Sequence, residues 1–288
     1  MISSLSPVKA QALTQKGKNQ MRPEVPQPNF LDKVLQRMDS SGISSSGAVF
    51  NMCQPGVSNC KAAEMKALCQ SCPDPSAVCK YLAGKVNKNM LTDVCKSTKG
   101  QSESSLWHHL RFGRVTASRL HGVAHCKTVS GALVESILGF KPFSGSSYEK
   151  GVALEGSVLR AVEKKLGVKI DATRLHILPA RPMFAGSPGG LFTLGDVMHV
   201  AEVKCPASDK SVCRYADEGV LITPKVRAQL QLQMLATGAP CGLLCIADPH
   251  FERNGMVRVM HKLDEGCLQP IMDQAERFWR IAVLLMLL

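Results

Sequence analysis

The stretch "FAGSPGGLFTLGDVMHVAEVKCP", residues 184–206, places Glu202 and Lys204 one residue apart in an otherwise apolar run. In an extended chain, alternation sends Met198, Val200, Glu202 and Lys204 to one face and His199, Ala201, Val203 and Cys205 to the other. Pro206 then ends the strand, because it cannot donate to a ladder. Upstream, Ser-Pro-Gly-Gly at 187–190 predicts a tight turn, and "LGDV", with Asp196, predicts a hairpin turn. Spacing alone leaves two readings of Glu202 and Lys204: a surface ion pair, or a carboxylate and an ammonium aimed at one ligand.

The neighbouring segments supply a frame for this strand. "RLHILP" and "PMFAGSP" read as strands before it, and "CGLLCIA" as one after it. "EKGVALEGSVLRAVEKKLG" predicts a helix whose Leu159, Val162 and Leu166 recur at helical spacing, with Glu155 one turn earlier on the same stripe. A core-facing carboxylate is costly unless a metal, an Arg or a Lys pairs with it, or the stripe edge is partly exposed. "ITPKVRAQLQLQMLATG" has Thr223 as N-cap, Pro224 at the first helical position and Gly238 as stop, with Gln229, Gln231 and Gln233 interleaved among Leu230, Leu232 and Met234. "CLQPIMDQAERFWRIAVLL" closes the chain as a helix. This order of elements predicts an α/β fold, a mixed β-sheet flanked by helices.

Further upstream, Trp107, Leu110 and Phe112 predict a short helix, and "RVTASRLHGVAH" a second one starting near Thr116 or Ser118. Arg111, Arg114, Ser118 and Arg119 crowd that start. Two readings follow: an anion site built from helix-terminal N–H groups and guanidinium groups, or a capped helix with solvated arginines.

Composition narrows the partners. The 288 residues carry a formal net charge of +12, which favours a polyanion, nucleic acid rather than a membrane, since no amphipathic basic helix stands out. The first residues lack an apolar signal-peptide core, and the final "IAVLLMLL" is too short to span a bilayer. The expectation is a nuclear or cytoplasmic protein whose 12 cysteines are reduced thiols or metal ligands. Residues 1–50, polar and rich in Ser, Pro, Gln and Lys, are expected to be disordered. Residues 51–99 are expected to be a Cys-rich, helical segment, in which "CQSC" at 69–72 has a zinc-knuckle gap without a matching second pair; buried or incidental cysteines account for it better than zinc does. Residues 100–288 are expected to form the main domain.

Glu155, Glu202 and Lys204 could converge with an acid from the preceding turn. Oxygen ligands of that kind suit Mg²⁺ or Mn²⁺, and a lysine beside the ion could orient or deprotonate a water attacking a phosphodiester.

The motifs "LWHHLRFGRVTASRL", "GVALEGSVLRAVEKKLGVKI", "AGSPGGL", "AEVKCP", "TPKVRAQLQLQMLATG" and "CIADPHFE", in this order across roughly residues 100–280, resemble the YqaJ-type viral recombinase family, lambda-exonuclease-like nucleases of the restriction-endonuclease-like fold. The resemblance implies a 5′-end-directed DNA exonuclease working in recombination or repair. It implies Mg²⁺ (or Mn²⁺) held by Glu155 and Glu202, with the backbone carbonyl of Val203 as a further ligand. It makes Lys204 the catalytic lysine, puts Gln229 beside the phosphate, and gives Arg111, Ser118 and Ser187 the grip on a 5′ phosphate. Its implied partner is a duplex DNA end, and an oligomer follows from resemblance alone.

The chain departs from that pattern at one position. Family members read Ser-Pro-Asp-Gly in the turn, with the aspartate as the principal metal ligand; this chain has Gly189. Three functions are therefore weighed: a metal-dependent DNA nuclease impaired by Gly189, a catalytically inactive DNA-binding module of the same fold, and a basic interaction protein acting through its Cys-rich segment. The last requires that deleting residues 1–95 abolish function while mutating Lys204 changes nothing.

Overall fold

The computed structural model describes residues 83–84, 86–101, 104–139, 146–206, 215–217 and 221–284. The expected disorder of residues 1–50 and the "CQSC" pair lie outside the described residues; of the upstream cysteines only Cys95 falls within them.

Helices α1 (Lys88–Ser97) and α2 (Ser105–Arg111) lead into a two-residue strand β1 (Val115–Thr116), followed by a 3₁₀ turn at Ala117–Arg119 and helices α3 (Leu120–Ala124) and α4 (Ala132–Ile137). The helix expected from Thr116 or Ser118 thus begins later. Val115 and Thr116 pair with a neighbouring strand instead, and Thr116 precedes the 3₁₀ turn without a side-chain capping bond.

The long helix α5 (Ser146–Leu166) precedes five strands: β2 (Asp171–Ala172), β3 (His176–Ile177), β4 (Phe184–Gly186), β5 (Gly190–Leu194) and β6 (Val197–Lys204). A small hairpin, β7 (Ala216–Asp217) and β8 (Leu221–Ile222), leads to α6 (Pro224–Thr237) and β9 (Cys241–Ile246). The chain continues through α7 (Phe251–Asn254), β10 (Val257–Lys262) and α8 (Glu265–Trp279), ending in a π-helical turn at Arg280–Leu284.

The main sheet has the order β10-β9-β6-β5-β2 and a smaller one the order β1-β4-β3. Strand β6 is central, antiparallel to β5 and parallel to β9. A strand hydrogen-bonded on both edges with helices over both faces is buried on both sides. Its two faces sort as alternation requires. Val200 packs with Leu230 and Met234 of α6, whereas Ala201 packs with Val158 and Val162 of α5. Gly195 and Asp196 form the two-residue loop between β5 and β6, with Gly195 at φ 60°, so Asp196 occupies the hairpin tip and points to solvent.

Helix α6 is buried nearly all round. Val226, Leu230 and Met234 face one cluster, Ala228 and Leu232 another. The helix begins after Thr223 with Pro224 in its first turn and ends at Gly238, which takes the left-handed conformation at φ 76°. Its three glutamines are therefore interior groups that need partners. Gln231 clamps the β10–α8 junction, donating to Lys262 O (2.8 Å) and accepting from Asp264 N (2.7 Å). Strands β5 and β10 are absent from the sequence reading, because "GGLFTL" opens on turn-forming glycines and "VRVMHK" is interrupted by basic residues.

Helix α1, from the Cys-rich segment, packs on β3: Val94 joins Trp107, Leu110, Leu175 and Ile177 in one apolar cluster. Among the described residues no helix is long and apolar enough to cross a membrane.

Candidate active site

Glu202 and Lys204 point the same way from β6, and α6 crosses in front of them. Lys204 Nζ donates to Glu202 Oε1 (2.7 Å) and to Gln229 Oε1 (2.8 Å), while Gln229 Nε2 donates to the same Glu202 oxygen (2.5 Å). The three side chains close a ring of hydrogen bonds. One turn on, Gln233 Nε2 donates to Glu202 Oε2 (2.8 Å) and to Ser187 O (3.3 Å). Both carboxylate oxygens of Glu202 are thus held, and its side chain is only 10% exposed against 19% for Lys204, so the ring opens to solvent through the lysine. Gln233 is the residue that sequence reasoning missed; its signal was the i, i+4 spacing from Gln229, which places both amides on one helix face.

The 187–190 stretch, expected as a tight turn, is instead an irregular connection that bends at Gly189, with Gly190 already the first residue of β5, and it is pinned on several sides. Trp107 Nε1 donates to Ser187 Oγ (3.0 Å), and Gln101 Nε2 donates to Pro188 O (3.1 Å), which also accepts from Thr173 Oγ1. The two glycines then differ. A Cβ at Gly190 would stand 2.2 Å from Ile170 Cγ2, so packing excludes a side chain there. A Cβ at Gly189 would meet Glu155 Oε1 at 2.5 Å and Ala201 O at 3.3 Å; the first of these is the end of a flexible side chain.

The carboxyl of Glu155, from α5, therefore faces the turn. Burial pushes it up to about 7, the nearby Glu202 charge pushes in the same direction, and Lys204 opposes them. Cys205 is raised to about 11, by burial first and by Glu155 second. Two carboxylates in electrostatic range of each other, with the Ala201 carbonyl oxygen near Glu155, form a donor set that fits a small divalent cation such as Mg²⁺, which binds through one or two carboxylates and keeps several waters. A third carboxylate does not join them: no group of three or more His, Cys, Asp or Glu side chains suited to a metal occurs among the described residues.

The residues expected to grip phosphate are only partly brought together. The Arg111 guanidinium lies over the Trp107 ring, 4.1 Å from its centroid, and the same indole holds Ser187, so one tryptophan links the two. Ser118 is exposed on the 3₁₀ turn, its Oγ 3.4 Å from Thr116 Oγ1. Arg114, counted with them from the sequence, is instead fully buried; its Nε donates to Pro182 O (2.9 Å) and its Nη1 to Leu110 O. It braces the fold.

The family model described as viral alkaline exonuclease matches residues 9–176, more than half of the chain. The chain belongs to the viral alkaline exonuclease family. The match takes in the N-terminal third that the sequence resemblance leaves out. It ends before Gly189, Glu202, Lys204 and Gln229.

Among solved structures, an alkaline exonuclease from Laribacter hongkongensis is 22% identical, with TM-score 0.50, over 60% of this chain and 89% of that one. The shutoff and exonuclease protein of Kaposi's sarcoma-associated herpesvirus is 11% identical, with TM-score 0.47, over 93% of this chain and 87% of that one. A phage-related exonuclease from Haemophilus somnus is 13% identical, with TM-score 0.44, over 60% and 96%. No curated protein matches. As a viral alkaline exonuclease relative, the chain has the fold expected from its sequence, a restriction-endonuclease-like mixed β-sheet flanked by helices.

Proposed function

We propose that this protein hydrolyses phosphodiester bonds of DNA from a 5′ end with a divalent cation, Mg²⁺ or Mn²⁺, held by Glu155 and Glu202, and that Gly189 leaves the reaction slow. The observation that carries the proposal is the hydrogen-bonded ring of Glu202, Lys204 and Gln229 within electrostatic range of the Glu155 carboxyl. When bound, such an ion neutralises charge on the phosphoryl oxygens and lowers the pKa of a coordinated water.

The chain's own groups do the rest. Lys204 uses two of its three N–H donors on Glu202 and Gln229, leaving the third for a water or a phosphate oxygen. Gln229 fixes both charged groups with its two amide ends. Arg111, Ser118 and Ser187 hold the terminal phosphate, and the Val203 carbonyl is a further oxygen beside the acid. The absence of a third carboxylate among the described residues favours a second reading, in which DNA ends are bound without being cut.

One assay separates the two: cleavage of a 5′-phosphorylated duplex in Mn²⁺ by the protein and by Gly189→Asp. Weak cutting that rises in the variant supports the nuclease. End binding with no cutting by either supports the binding module, and strong cutting by the unaltered protein would refute the impairment.

A further inference from the structure

Helix α5 separates two differently charged surfaces. Glu155 faces the site, while Arg160, Lys164 and Lys165 line a cleft of about 610 Å³ together with Phe251 and Met256 on the α7 side and Arg258 on β10. Four cations meet a single acid there, Glu252, and among the described residues none of the four is ion-paired. Lys164 and Lys165 also lie in the last turn of α5, where the helix dipole favours cations. That does not account for Arg160, a turn earlier, or for Arg258, on a strand across the cleft. Ser157 Oγ accepts from Arg160 Nη2 (3.0 Å), which orients the guanidinium.

The cleft begins at the sheet end that carries the site. Lys204 on β6 is in register with Ile246 on β9, and Ala247 N donates to Lys204 O (3.0 Å), so the chain entering α7 leaves from beside the catalytic lysine.

We propose that this cleft binds the sugar-phosphate backbone of a single DNA strand that extends beyond the site. The choice of DNA rests on the function proposed above; the charge argument does not. A cleft of this size admits about one or two nucleotides and no duplex. Arg160 and Lys164 are one helical turn apart, about 6 Å, a repeat that a flexible single-stranded backbone can follow. Phe251 is buried, so stacking contributes little and binding is electrostatic, sequence-tolerant and strongly salt-dependent.

The test is fluorescence anisotropy with a labelled single-stranded oligonucleotide, in EDTA so that cleavage does not enter, across a salt series. Loss of two phosphate contacts in Arg160→Gln/Lys164→Gln should lower the slope of log K against log salt by about 1.4, which is about 25-fold weaker binding at 0.1 M salt. The charge-preserving Arg160→Lys should keep most of the slope. Arg258→Gln, on a different element, should lose about half as much as the double variant and covers the case in which the helix variant does not fold. An unchanged slope in both folded variants would overturn the proposal, as would displacement of the strand by inorganic phosphate as effectively as by unlabelled oligonucleotide. Failure of the nuclease proposal would show instead as absent cleavage in Mn²⁺, which this measurement does not read.

Discussion

The Glu155 carboxyl occupies the space that a side chain at position 189 would enter: an ideal Cβ on Gly189 stands 2.5 Å from Glu155 Oε1. The backbone there lies outside the left-handed region, so an L-residue is conformationally admissible. Gly189→Asp should therefore fold after a rotation of the Glu155 side chain and a shift of a few tenths of an ångström against Ala201 O. Without metal, a third carboxylate beside Glu155 and Glu202 should lower the melting temperature. With Mn²⁺ the variant should show the larger thermal stabilisation and, by analogy with restoring one electrostatic group, cleavage at least about 100-fold faster. A variant that gains neither would disprove the role given to Gly189.

The adjacent glycine predicts the opposite. Gly190→Ala drives a methyl into Ile170 Cγ2, so it should destabilise the fold by about 1–3 kcal/mol, read by denaturant unfolding, whether or not metal is present. The Ser-Pro-Gly-Gly stretch reads in the sequence as a tight turn, whereas it only bends at Gly189 and Gly190 already opens β5; the different constraints on its two glycines were not legible either, because they depend on Ile170 and Glu155, which are distant in the chain.

The same distinction runs through the site. Alternation placed Glu202 and Lys204 on one face of β6, and helical spacing placed Glu155 on the inner stripe of α5, so those parts follow from local periodicity. Gln233 and the tryptophan link between Arg111 and Ser187 are contacts between elements far apart in sequence, which periodicity cannot see. Arg114 shows the converse: its position in a basic cluster suggested phosphate, whereas its burial and its bonds to Pro182 and Leu110 carbonyls make it structural.

Glu155 also sets a pH dependence. In the metal-free fold its carboxyl is raised from an ordinary value near 4.5 to about 7, by burial and then by Glu202, so the folded state binds the proton more tightly than the unfolded chain. The group's contribution is greatest below the unfolded value and falls as pH rises through about 7. Melting temperature in EDTA should therefore decline between about pH 4.5 and 7 more steeply in the unaltered protein than in Glu155→Gln. Equal slopes would contradict the burial of this carboxyl.

Gln233 provides the last test, because it joins the acid to the turn. Gln233→Leu removes the donor to Glu202 Oε2 and to Ser187 O, leaving a buried carboxylate oxygen without its partner. The cost should be about 1–3 kcal/mol in denaturant unfolding. Gln231→Leu should cost a similar amount, since Gln231 is equally buried and makes two bonds at the β10–α8 junction. The two should differ in metal response. Gln231→Leu should keep the thermal shift produced by Mn²⁺, whereas Gln233→Leu should reduce it, because Glu202 then loses the bond that holds its Oε2. If both variants respond alike to Mn²⁺, Gln233 is an interior packing residue and the acid is held by Lys204 and Gln229 alone.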